Sequence, residues 1–278
     1  FIVADAGSDN GLQIFDLTQL RTVVSPPVIF SPTVRYDGFI SGHNLWINEE
    51  TGYLYVARTT GPTCAGIRMF NIMTPTMPLP VGPSEEGVPG CFIDDPANPI
   101  ASDLVCEIYH GPDADYKGHE ICFIGSDATL SIADVTDKNA HVIITNTLKY
   151  TENIVTRLHQ GALTEDQRFL LFSDVYDEKE YGHNTRTYVW DMADLDAPLY
   201  LGHYEAQNTA RDHNVYIVGD YAYQANFNAG LRILDISMLP ETTFHEVGTF
   251  DVNPASDSPT ADGAWSNYPW WGDGVVTG

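Results

Sequence analysis

Apolar and polar residues alternate in short runs along most of this chain, and helical spacing is essentially absent. One run recurs, at Gly11–Leu17, Gly66–Ile72, Leu130–Val135, Arg186–Met192 and Gly230–Ile236. Each reaches Asp or Asn and then a turn-rich stretch, which is strand periodicity with a turn stop. A second segment recurs: His43-Asn44-Leu45, Asp103-Leu104-Val105, His159-Gln160-Gly161, His213-Asn214-Val215 and Ser266-Asn267-Tyr268. Its successive spacings are 60, 56, 54 and 53 residues. Between the two segments lie apolar runs at Tyr53–Val56, Ile121–Ile124, Phe169–Phe172 and Tyr221–Gln224, and a further run such as Pro198–Gly202 or Glu246–Phe250 often follows. Each unit is therefore about four short antiparallel strands in about 45–60 residues, the signature of a blade repeat. The predicted fold is all-β, a β-propeller of four-stranded antiparallel blades. A β-sandwich accounts for the strands but not for the regular return of the His-Asn segment.

The whole of 1–278 reads as a single propeller domain. Its repeats fall at about 1–40, 41–101, 102–157, 158–211 and 212–264, with 265–278 starting or closing a blade. Phe1–Ala4 matches a second strand and Asn10–Leu17 a third. Either the two ends join to close a five-bladed ring, or the chain is part of a larger propeller. The start at Phe1, without Met or signal peptide, favours processing or a longer parent chain.

Charge narrows the partners. Thirteen Lys and Arg (13) stand against 38 Asp and Glu, for a net charge of −25. That field repels nucleic acid and anionic lipid. No apolar run approaches the ~20 residues that span a bilayer. Lysine occurs only at Lys117, Lys138, Lys149 and Lys179. This balance suits an acidic secreted protein, and a marine or saline habitat is the sharper form of that expectation.

The cysteines are Cys64, Cys91, Cys106 and Cys122, with no Cys-x-x-Cys pair, so a structural zinc ribbon is disfavoured. An even number points to two disulfides; four buried thiols are the alternative. Cys106 falls in a first strand and Cys122 in the adjoining second strand. Cys64 falls in a top loop, and Cys91 in the top connection to the next blade. The predicted pairs are Cys64–Cys91 and Cys106–Cys122.

Longer motifs add a resemblance. They are Gly42-His-Asn-Leu with Asn48–Tyr53, Tyr109–Asp113 with Glu120–Cys122, Leu163–Arg168, Gly182–Tyr188, Asp212-His-Asn214 and Gly263–Pro269. Together they resemble the choice-of-anchor B family of secreted bacterial proteins built from LVIVD-type propeller repeats. The resemblance covers nearly the whole chain and implies a secreted or surface-attached propeller without naming an activity. Where the family usually shows a His-Asp pair in the second repeat, this chain has Ser102-Asp103.

Propeller geometry then sorts the candidate chemistry. First strands line the central channel, so His43, Asp103, His159, His213 and Ser266 should ring its mouth. His183 lies in a loop predicted on the same face. Imidazoles with a carboxylate suit a divalent metal such as Zn or Cu, with His43, Asp103, His159, His183 and His213 as candidate ligands. The same set suits an organic-ligand pocket, with Asn44 and Asn214 on its wall and Arg186 or Arg211 as an anion contact. A structural role, bonding backbone and water, is the third possibility. Oxygen-rich loops at Asp5, Ser8, Asp9 and Asn10, at Asp174, Asp177 and Glu178, and at Asn226 and Asn228 could hold Ca²⁺. The opposite face carries His110–Asp115. Solvated turn residues are the simpler account of these loops. Glu85-Glu86 and Asp94-Asp95 likewise read as surface. No nucleophile elbow, zinc-protease helix or phosphate loop occurs. Trp265–Trp271 is the best aromatic-binding stretch. The expected function is a secreted or cell-surface binding module for an unknown protein or carbohydrate. The alternative is an extracellular hydrolase, lyase or metal-dependent oxidoreductase using the histidines.

Overall fold

The computed structural model describes residues 1–4, 9–61, 64–97, 100–272 and 274–278; Asp5 and Ser8 lie outside the described residues. Strands β1 (Ile2–Ala4), β2 (Leu12–Ile14) and β3 (Val34–Tyr36) form the first sheet. The second contains β4 (Gly42–Asn48), β5 (Tyr53–Thr59), β6 (Cys64–Asn71) and β7 (Leu79–Pro80), with β8 (Cys91–Phe92) also paired to β6. The third runs β9 (Ala101–Ile108), β10 (Glu120–Ser126), β11 (Leu130–Asp134) and β12 (Val142–Leu148). The fourth runs β13 (Leu158–Leu163), β14 (Phe169–Asp174), β15 (Arg186–Asp191) and β16 (Leu199–Glu205). The fifth runs β17 (Val215–Val218), β18 (Tyr221–Asn226), β19 (Gly230–Asp235) and β20 (His245–Phe250). A hairpin of β21 (Asn267–Trp271) and β22 (Gly274–Thr277) completes the series. All strand pairings within these sheets are antiparallel and, β8 on β6 apart, sequential, so the molecule is a β-propeller. The first sheet and the final hairpin are separate; the described strands do not join the two ends into one blade.

One departure from the strand pattern is α1 (Asp177–Tyr181), between β14 and β15. It ends at Gly182, whose φ of 72° is the left-handed conformation that closes helices.

The core lies between sheets. Leu12 and Phe39 meet Leu54, Val56 and Phe70. Tyr55, Ile67 and Met69 meet Leu104 and Ile124. Phe123 and Ile132 meet Leu170, Phe172 and Trp190. Leu171 and Val189 meet Val215, Ala222 and Leu234. Alternation along each strand supplies one face to each neighbour, which is why the sequence pattern is so regular. Gly125 permits one close approach: a Cβ there would lie 2.5 Å from the carbonyl oxygens of both Leu158 and His159.

Both disulfides follow from strand neighbours. Cys106 and Cys122 stand directly opposite in the β9–β10 ladder and are bonded. Cys64 opens β6 and is bonded to Cys91 of β8, whose Cys91 pairs with Arg68. Asp94 and Asp95 correct the surface expectation, because the connection into the third sheet is packed and buries both.

A buried ion pair links the second sheet to the third. Glu120 accepts from Lys138 Nζ at 2.7 Å, Tyr55 Oη at 2.6 Å, Asn48 Nδ2 at 2.9 Å and Thr51 Oγ1 at 3.1 Å. Lys138 also donates to the Val135 carbonyl and lies 4.3 Å from the centroid of the Tyr53 ring. Satisfaction of both charges is what makes their burial tolerable.

Removing one partner should expose that cost. Lys138→Met is expected to lose about 3–5 kcal/mol in urea unfolding, because Glu120 is left buried without its counter-ion. Loss of under 1 kcal/mol would contradict this role. Non-reducing peptide mapping should return only Cys64–Cys91 and Cys106–Cys122; a Cys64–Cys106 peptide would break the assigned strand order.

Candidate functional site

Inner strands bring residues distant in sequence to one channel. His43 lies on β4, Asp103 on β9 and His159 on β13, while His213 lies two residues before β17. The His43 and His159 rings are 5.9 Å apart between centroids, and those of His159 and His213 are 4.0 Å apart. Asp103 Oδ2 lies 3.5 Å from His159 Nδ1, beyond a well-formed hydrogen bond. The structure therefore gathers four of the five proposed metal-ligand residues.

His183 sits elsewhere. Its Nδ1 donates to the Asn184 carbonyl at 2.7 Å, and its Nε2 is 3.6 Å from Asp177 Oδ2. The loop that carries it turns toward α1 and the outer part of its own sheet. Arg186 also points to that sheet's outer strand, pairing with Glu205 at 2.8 Å. Arg211 is buried, donates to the Val175 carbonyl and lies over the Tyr176 and Phe227 rings. Neither arginine lines the channel cavity, whereas Asn44 and Asn214 do.

That cavity measures about 200 Å³ and is bordered by Ala4, His43, Asn44, Asp103, Gln160 and Asn214, with Trp46 and Tyr216 among its aromatic neighbours. Each inner strand of the first five sheets contributes, as expected of a propeller channel. Gln160 is held rigidly: its Nε2 donates to the Val215 carbonyl at 3.1 Å, and its Oε1 accepts from Val215 N at 3.2 Å. Sequence reasoning did not single out Gln160, although it follows His159 in the recurring segment.

Burial sets the charge of this wall. It pushes the Asp103 carboxyl up to about 8, so that acid is protonated at neutral pH. It lowers His213 to about 4, and the His213 Nδ1 proton is held by the Trp265 carbonyl at 2.6 Å. His159 is driven well below its ordinary value by burial, then by the neighbouring His213 and His43. His43 is lowered by burial and then by Arg58 and Arg157. The channel mouth of a strongly acidic protein is thus uncharged, with both donors and acceptors.

The ligand atoms of His43, Asp103, His159 and His213 do not gather within 4.8 Å of one another, so as placed they do not enclose one ion. Asp113, Asp194 and Asp196 do gather that closely. They belong to the opposite-face loop expected from His110–Asp115 and to the loop after β15. Their oxygens already accept from Leu195 N, Asp196 N, Ala197 N and Tyr116 Oη. Two of the oxygen-rich loops are corrected from solvated to buried, that of Asn226 and Asn228 and that of Asp174 to Glu178. Asp174, Asp177 and Glu178 are buried together with Asp212. Asp174 accepts from Tyr150 Oη and from the Thr156 and Arg157 amides. Asp177 accepts from Tyr188 Oη. Burial, then the Asp174 charge, raises Asp177 to about 7. Burial, then the neighbouring carboxylates, raises Glu178 and Asp212 well above their ordinary values. Trp265, Trp270 and Trp271 are half-exposed or more.

Comparison with known proteins supports the architecture. Residues 211–249, which cover nearly all of the fifth sheet, match the LVIVD repeat. No curated protein matches the chain by sequence. The structure is similar to the periplasmic gluconolactonase PpgL of Pseudomonas aeruginosa, with a TM-score of 0.62, 12% identity, and coverage of 91% of this chain and 68% of that one. It is similar to a protein of Lactobacillus plantarum, with a TM-score of 0.63, 12% identity, and coverage of 99% and 74%. It also resembles the β-propeller domain of Myceliophteria thermophila Cps50 (Swd1), with a TM-score of 0.50, 13% identity, and coverage of 90% and 71%. At these identities the likeness concerns the fold alone. The two disulfides suit an oxidising compartment, and no described helix is long and apolar enough to cross a membrane.

The neutral state of Asp103 has a measurable consequence. The folded chain keeps a proton that an unfolded Asp releases near pH 4, so this residue costs stability as pH rises from about 4 to about 8. Asp103→Asn keeps the oxygen that accepts from Leu104 N at 2.8 Å. It should add on the order of 2 kcal/mol at pH 8 and almost nothing at pH 4. Superimposable stability–pH curves for the two proteins would contradict the assignment.

Proposed function

We propose that this chain is a secreted or cell-surface β-propeller of the choice-of-anchor B kind, acting as a binding module. Its ligand is small, neutral and rich in hydroxyl groups, and it sits at the channel mouth. The observation that carries this reading is the cavity of about 200 Å³, whose wall comes from five sheets and presents His43, Asn44, Asp103 and Asn214. Its volume falls below the ~300–1,000 Å³ of drug-sized sites, which favours a ligand of about one sugar ring. Neutral imidazoles, a protonated acid and amides together can donate to and accept from sugar hydroxyls. The absence of formal charge in the wall disfavours phosphate or carboxylate recognition.

The pair of Asp103 and His159, 3.5 Å apart, supports a second reading as a hydrolase. A protonated acid beside a neutral base is the arrangement general acid–base catalysis uses. Sugar lactones join the test compounds because the Pseudomonas neighbour is a gluconolactonase.

Calorimetric titration with glucose, mannose, galactose, gluconate and gluconolactone separates these readings. At least one neutral sugar or lactone should bind, and Asn214→Ala should weaken it tenfold or more at unchanged melting temperature. Product release that disappears in Asp103→Asn would select the hydrolase. No binding by any compound, or equal binding by Asn214→Ala, would end the channel-mouth proposal.

A further inference from the structure

A second cavity, of about 590 Å³, lies away from the channel between the outer strands of the fourth and fifth sheets. Its size falls within the ~300–1,000 Å³ range of ligand sites. Tyr204 on β16, partly exposed, stacks on the buried Phe244, just before β20, with centroids 5.5 Å apart, and gives the groove an aromatic floor. Glu205 rises on one wall, and Arg232 with Glu246 on the other. Asp257 borders the groove, and its segment is tied down where Thr209 Oγ1 donates to the Asp257 carbonyl and Asn228 Nδ2 to the Ser258 carbonyl, both at 2.8 Å.

The charges in this groove cancel in pairs. Arg186 grips Glu205 at 2.8 Å, and Arg232 grips Glu246 at 3.2 Å. Only Asp257 remains as an unpaired carboxylate on the lining among the described residues. An anionic ligand would meet a groove without surplus positive charge on a chain of net charge −25. A cationic ligand would find one free carboxylate. Paired guanidinium and carboxylate groups still offer spare donors and acceptors side by side, which is what vicinal hydroxyls require. The Tyr204 hydroxyl adds a donor; burial and then the Glu246 charge keep it protonated. An aromatic floor below such a polar wall suits the apolar face of a sugar ring.

We infer that this groove binds a short stretch of a neutral polysaccharide, with Tyr204, Arg232 and Glu246 contacting its hydroxyls. This site is independent of the channel mouth.

The intact chain should be titrated with maltohexaose, cellohexaose, laminarihexaose and mannohexaose by saturation-transfer NMR and calorimetry. At least one should bind saturably. Glu246→Gln and Asp257→Asn alter exposed side chains, and melting temperatures equal to the parent's would show that both variants fold. Glu246→Gln should weaken binding at least fivefold, Asp257→Asn should change it less than twofold, and Asn214→Ala at the channel mouth should leave it unchanged. The proposal is overturned if none of the four hexasaccharides binds, if Glu246→Gln binds as well as the parent, or if Asn214→Ala abolishes binding. Saturable binding of spermidine that Asp257→Asn removes, with no hexasaccharide bound, would make the groove a cation site instead.

Discussion

Contact between the apolar faces of successive sheets is the interaction on which everything else here depends. A four-stranded sheet of such short strands has two faces to cover and cannot cover either alone. Stacking solves this by letting each sheet bury Leu, Phe, Tyr and Trp against the next. Polar staples then set the register between neighbours. The Gln160 side chain pairs with both backbone groups of Val215 as a strand residue would. Trp46 Nε1 donates to the Cys106 carbonyl, Ser173 Oγ to the His213 carbonyl and Asn267 Nδ2 to the Tyr223 carbonyl. Each staple runs from one sheet to the backbone of a neighbour, so apolar packing and hydrogen bonding fix the same arrangement.

Chemistry at the centre follows from that stacking. Inner strands must converge, so the residues that open them crowd together away from water. Desolvation then outweighs ordinary titration: Asp103 keeps its proton and the histidines lose theirs. The acidic surface and the neutral channel are thus products of one geometry. Charge stays where water or a counter-ion can reach it. Where a full charge is buried, as at Glu120 and Lys138, both partners are saturated with contacts.

The same crowding explains how the two candidate sites differ. The channel mouth draws its lining from the inner strands of five sheets, so its polarity is set by burial. The groove between the fourth and fifth sheets is open, and its ionic groups remain charged and, apart from Asp257, matched in pairs. One site loses its charges to desolvation, the other balances most of them by ion pairing.

Period and alternation in the sequence were enough to determine the propeller, because a strand's two faces are written two residues apart and the repeat returns each face to the same place. The disulfide Cys106–Cys122 was legible for that reason: adjacent strands of one hairpin bring both cysteines to the same rung. His43, Asp103, His159 and His213 were legible as a set because they begin equivalent strands. Loop conformation carries no such period. Only the tertiary structure decided that His183 turns to Asp177, that Asp94 and Glu178 are buried, and that Asp113 meets Asp194 and Asp196 from another sheet. Arg186 and Arg211 went to an ion pair and a backbone carbonyl for the same reason. A side chain's solvation and partners depend on which other loop lies across from it, and that distance is set by how the sheets stack.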